Sequence, residues 1–253
     1  MMPFRHTVQL RCPAVPPGLT FGSGRSLRSL HFAARNEPPP KLRFARGFTL
    51  TEMAVVLVIV ALLLGGMLMP ISAQQDIRYV TETQKQLADI TEALHGYAAS
   101  HAAGDSKPYL PCPDTDGDGA EDRSGSACAN QEGTLPWADI GLGRLDAWNN
   151  ALRYRVAAAF SSNAAGFTLS SAGDLRVCES SACATVIATA LPVVILSRGK
   201  NGAAIPAGAD EMENADGDTD FVQHTQTSGY DDLVIWLSPN ILFNRMISAG
   251  RLP

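Results

Sequence analysis

The chain has 253 residues and a formal net charge of −5, which bounds it to one or two domains. That charge is uneven: residues 1–47 carry eight Lys/Arg against one acid, and the remainder carries twelve against twenty-four. An acidic body lacks the clustered Lys/Arg that phosphate binding needs, so nucleic acid is set aside as a partner.

Residues 1–40 are rich in Pro, Gly, Ser and Arg and show no sustained period. They are expected to be disordered or removed. A charge-free run then extends from Met53 to Gln75, bounded by Glu52 and Asp76. About 20 apolar residues at about 1.5 Å each reach across a bilayer core of about 30 Å. The spacing predicts a membrane span over residues 50–70. The basic residues before it favour a cytoplasmic N-terminus.

Beyond the span, Val80, Leu87, Ile90, Leu94 and Tyr97 fall on one helical stripe, with Asp76, Arg78, Glu82, Lys85, Asp89 and Glu92 on other faces. One helix is therefore expected from the span to about Ser100. Gly65, Gly66 and Pro70 are places where it would loosen or kink. After His101 the texture changes to short strand-like runs: Leu152–Phe160, Phe167–Ser171, Pro192–Ser197 and Leu233–Leu237. A C-terminal helix is expected, with Ser238 as N-cap, Pro239 at the first position and Gly250 as the stop. The fold class is α+β, a long N-terminal helix packed on a mainly antiparallel sheet. The domains are 1–47 (leader), 48–103 (helix) and 104–253 (exported domain).

Four of the five cysteines follow the apolar run. An even set on the exported side predicts two disulfides. Local pairing, Cys112 with Cys128 and Cys178 with Cys183, closes the shortest loops. A four-thiolate zinc site is the rival, but the spacing lacks the paired C-x-x-C of zinc ribbons.

Two acidic clusters are candidate calcium sites. Asp114, Asp116 and Asp118 with Gly119 match the first half of an EF-hand loop. Position 12 would be Gly125, so this is no EF-hand, although Glu121 or Asp122 can close an irregular site. The second cluster contains Asp216, Asp218 and Asp220. Solvated acidic turns are the plain alternative for both. Catalysis is not expected: His95, His101 and His224 have no nucleophile signature nearby, and no phosphate loop or His-Glu-x-x-His occurs. The rival from another class is an exported calcium-binding or hydrolytic domain on a single-span anchor.

The segment Arg46-Gly47-Phe48-Thr49-Leu50-Thr51-Glu52, running directly into the apolar stretch, resembles the prepilin cleavage site of type IV pilins and type II secretion pseudopilins. The resemblance implies cleavage after Gly47 by a prepilin peptidase and N-methylation of Phe48. It implies that Glu52 pairs with a neighbouring subunit's N-terminal amine during assembly. Further implied are a pilin-like fold, other pilin or pseudopilin subunits and an inner-membrane assembly platform as partners, and a single-pass location in the bacterial inner membrane with the C-terminal domain in the periplasm. The leader of 47 residues is long for that family. Asp146-Ala147-Trp148-Asn149, with Tyr154 following, also resembles the Asp-x-Trp-Gly turn of pseudopilins. Asn149 stands where Gly is usual, and Asn tolerates the left-handed backbone such a turn needs. Trp148 and Tyr154 are expected to be core aromatics. Calcium near the C-terminus of some pseudopilins adds to the case for Asp216, Asp218 and Asp220 by resemblance alone.

Overall fold

The computed structural model describes residues 47–253 except Ile205 and Ala207, and it leaves the side chains of residues 66–73 undescribed. The leader's expected disorder, and any loosening at Gly66 or Pro70, lie outside the described residues. The chain divides into two units, Met1–Met53 and Ala54–Pro253.

Helix α1 runs from Leu50 to Ser100. Its first turn is set by a local device described below. Leu87, Ile90, Leu94 and Ala98 are buried at intervals of three and four residues, so they form one face. Val80 packs against the same core, Tyr97 joins a small satellite cluster with Ala103 and Tyr109, and Ile77 is exposed. Thr83 is fully buried on the core-facing stripe, which its hydroxyl conceals from a hydropathy reading. Each fully buried Leu or Ile on that face contributes about 1.5–3 kcal/mol through loss of water contact.

The remaining elements are β1 (Arg123–Ser124), β2 (Ala127–Cys128), β3 (Glu132–Thr134), α2 (Trp137–Ile140), β4 (Arg153–Val156), α3 (Ala158–Ser161), β5 (Leu175–Cys178), β6 (Val186–Leu191), β7 (Val193–Ser197), α4 (Ala209–Glu213), β8 (Asp220–Val222), β9 (Leu233–Leu237) and α5 (Pro239–Ser248). A four-stranded antiparallel sheet has the order β3-β4-β7-β9, and a three-stranded sheet the order β6-β5-β8. All five residues of β7 are buried, as befits a central strand covered on both faces. Its run Val193-Val194-Ile195-Leu196 shares one hydrophobic cluster with α1, β4, β5 and α5.

The α+β class and the antiparallel sheet agree with expectation, and β9 begins and ends where expected. Three corrections follow. The sheet is not single, and β5 pairs with β8 in parallel. The expected strand Leu152–Phe160 stops at Val156, where the chain turns into α3. Phe167–Ser171 is no strand: Ser171 N–H closes a turn on the Thr168 carbonyl, and Thr168 and Ser170 hydroxyls bond locally. Such side-chain bonds offer the backbone an alternative to a ladder.

Helix α5 starts at Pro239 as expected, but the Ser238 side chain makes no capping bond. Gly250 has φ 68°, and Arg251 N–H reaches back to the Met246 carbonyl, a glycine-dependent helix stop. Both disulfides pair as expected, Cys112 with Cys128 and Cys178 with Cys183.

Candidate functional site: the head of the long helix and the acidic loops

The residues Gly47, Phe48 and Thr49 precede the helix, and Phe48 is 80 % exposed. Thr49 N–H donates to Glu52 Oε2 at 2.9 Å, and Thr49 Oγ1–H donates to the same oxygen at 2.8 Å. Glu52 N–H in turn donates to Thr49 Oγ1 at 3.2 Å. This reciprocal arrangement is a capping box, which satisfies backbone donors that a helix start otherwise leaves open. The sequence already carried its sign in Thr49-x-x-Glu52 ahead of an apolar run. Glu52 thus has a partner within its own chain, a role that a reading based on assembly alone misses.

From Met53 to Leu64 the large apolar side chains are 43–72 % exposed. Among the described residues no helix is long and apolar enough to cross a membrane. The last part of the expected 50–70 span falls on residues 66–73, whose side chains lie outside the described ones. A continuous exposed apolar run of this kind marks a contact surface for lipid or other chains.

Facing α1 near Thr83 is the Asp-x-Trp turn. Asp146 is 4 % exposed, and its Oδ1 accepts the backbone N–H of Trp148 at 2.9 Å and of Asn150 at 2.8 Å. Its Oδ2 accepts the Ser197 hydroxyl. Asn149 has φ 65°, the left-handed conformation expected of it. Ala147 N–H donates to Thr83 Oγ1 at 3.3 Å, and Trp148 stands edge-on to Tyr79, so the turn is pinned to the helix. Tyr154 is buried, with its hydroxyl donating to the Pro111 carbonyl, and Trp148 packs at the core margin.

The acidic loops are only partly assembled as expected. Asp114, Asp116 and Asp122 bring carboxylate oxygens within 4.8 Å of one another, while Asp118 instead accepts the Ala120 N–H. Asp114 is almost fully buried and accepts Gly117 N–H at 2.6 Å and Gly119 N–H at 3.0 Å. Hydrogen bonds from Thr115 hold the Asp122 carboxyl below its ordinary range. Glu121 does not join: both its oxygens receive the Arg123 guanidinium. In the second loop, Asp216 and Asp218 gather with Glu213, whose carboxyl is pushed up by burial and then by those two neighbours. Asp220 is taken out by Arg176, which donates to it from Nε at 2.7 Å and again from its second nitrogen.

A third group escaped the sequence reading. Glu211 and Asp232 are buried and lie with Asp231 within the same 4.8 Å. Burial pushes the Asp232 carboxyl up to about 7, even though Asn214 donates to it at 2.8 Å. Glu211 lies twenty residues or more from the other two, so no spacing motif announces the group; only the fold joins α4 to the approach to β9.

Residues 42–68 match the family model described as the prokaryotic N-terminal methylation motif. The chain therefore carries the prepilin-type signature of type IV pilins and pseudopilins. No curated protein and no solved structure matches the chain.

Proposed function

We propose, for a chain that carries the prepilin-type signature at the head of its long helix, a structural subunit without catalysis of its own. It is a minor subunit of a type IV pilus or of a type II secretion pseudopilus. A prepilin peptidase cuts after Gly47, and Phe48 is methylated. The helix then anchors the chain once across the bacterial inner membrane, N-terminus inward and C-terminal domain in the periplasm. On assembly it leaves lipid for contact with neighbouring pilin or pseudopilin helices at the platform.

One observation carries this reading. The exposed apolar run begins directly after the capped helix start at Thr49–Glu52, with Gly47 and Phe48 outside the helix. A secretory signal places its cut after the apolar segment; a cut here precedes it, so the span survives to serve assembly. The Glu52 carboxylate at the edge of the apolar run calls for a partner. Thr49 supplies one in the single chain, and a neighbour's new amine supplies a stronger, charged one in the fibre.

A deletion strain tests the fibre role. Loss of surface fibres or twitching assigns the subunit to a pilus, and loss of exoprotein release assigns it to secretion. A strain normal in both contradicts the fibre role and favours a single-span anchor.

The grouping of Asp114, Asp116 and Asp122 favours a calcium-binding outer domain as an addition to this role. With calcium at about 1 mM, a site with the weak affinity of extracellular modules raises the unfolding temperature. Asp114→Asn/Asp116→Asn removes that rise, and an unchanged unfolding temperature in the wild type contradicts the site.

A further inference from the structure

We propose that His95 is a pH-sensitive latch between α1 and α5. The imidazole is 6 % exposed, and neither ring nitrogen has a hydrogen-bond partner among the described residues. Its Nδ1 lies 4.0 Å from Glu92 Oε1, one turn earlier on α1. That carboxylate receives Arg245 of α5 at 3.0 Å. Glu92 on its own helix and Arg245 on the facing helix are the charged groups that act on the ring. Leu94 of α1 and Leu242 and Met246 of α5 are buried in one hydrophobic cluster, so the two helices share an apolar core beside this pair.

A neutral imidazole fits this seam because nothing there requires a charge. A protonated ring introduces a second cation beside Arg245 and competes with it for Glu92. Glu92 is largely exposed and already bonded to Arg245, so a buried imidazolium remains poorly solvated. Burial depresses the His95 pKa, and Arg245 lowers it further against the pull of Glu92. In the unfolded chain the ring titrates near 6.5. Below that pH the unfolded or opened state binds more protons than the folded one, so stability falls as pH drops. The latch is closed at neutral pH and loosens in acid. Arg251 donates at 2.7 Å to the carbonyl of His101, the residue that follows α1, a second tie near the end of that helix.

The test uses the full-length protein in detergent micelles. Amide hydrogen exchange in α5, corrected for the intrinsic effect of pH, is compared at pH 7.5 and pH 5.0. The opening constant of α5 in the wild type rises at the lower pH, towards the limit of about thirtyfold set by one proton bound on opening over the roughly 1.5 units between 6.5 and 5.0. In His95→Leu, which fills the seam without a titratable group, the rise disappears. His95→Gln, polar but not titratable, serves if the leucine variant does not fold. Carboxyl groups elsewhere titrate alike in all three proteins and cancel in the comparison. An equal rise in wild type and variants, or none in the wild type, overturns the latch.

Discussion

Asp146→Ala lowers the stability of the C-terminal domain by about 3 kcal/mol, corresponding to a fall of roughly 9 °C in Tm for a domain of this size. The reason is the number of donors that converge on one buried carboxylate. Trp148 N–H and Asn150 N–H both point at Oδ1, and the fully buried Ser197 hydroxyl points at Oδ2. Alanine leaves these groups facing an apolar interior, where an unmade hydrogen bond costs far more than an exposed one. The loss spreads because the turn holds Asn149 in a left-handed conformation and presents Ala147 and Trp148 to α1. Asp146→Asn retains a carbonyl acceptor for the two backbone donors and is expected to lose less than half as much. Asp118→Ala, on the exposed acidic loop, changes stability by no more than about 0.5 kcal/mol. Thermal and urea unfolding of the three variants check the order, and an Asp146→Ala protein as stable as wild type contradicts the role given to this turn.

Legibility in the sequence followed the range of the forces involved. The α1 stripe was legible because periodicity is local: Leu87, Ile90 and Leu94 repeat at helical spacing and are buried. Strand β9 was legible because Leu-Val-Ile-Trp-Leu is dense in β-formers between polar flanks. The disulfides followed from loop length and compartment. Strands β5, β6 and β8 were missed because their signal is tertiary. Leu175–Cys178 and Asp220–Val222 pair across more than forty residues, and Asp220–Val222 is too short to announce itself.

The acidic loops show the same limit. A spacing pattern places Asp114, Asp116 and Asp118 together and offers Glu121 or Asp122 to close the site, but it does not reveal that Asp118 stays out of the group or that Arg123 occupies Glu121. Likewise Arg176, distant in sequence, withdraws Asp220 from the second loop. The buried Glu211, Asp231 and Asp232 group has no motif at all. Thr49 and Glu52 are the opposite case: the capping pattern is written in four consecutive residues.

The central claim is that the chain is processed after Gly47 and retained by its helix. Such processing would remove the leader, with its eight Lys/Arg, and create an amine at Phe48, four residues before Glu52. The capped start leaves the Gly47–Phe48 bond outside the helix. Mass spectrometry of the N-terminal peptide from cells with and without the prepilin peptidase gene tests this most directly. The account predicts a mature protein beginning at methylated Phe48, with the uncleaved leader appearing only in the peptidase mutant; an identical N-terminus in both strains, uncut or cut elsewhere, contradicts it.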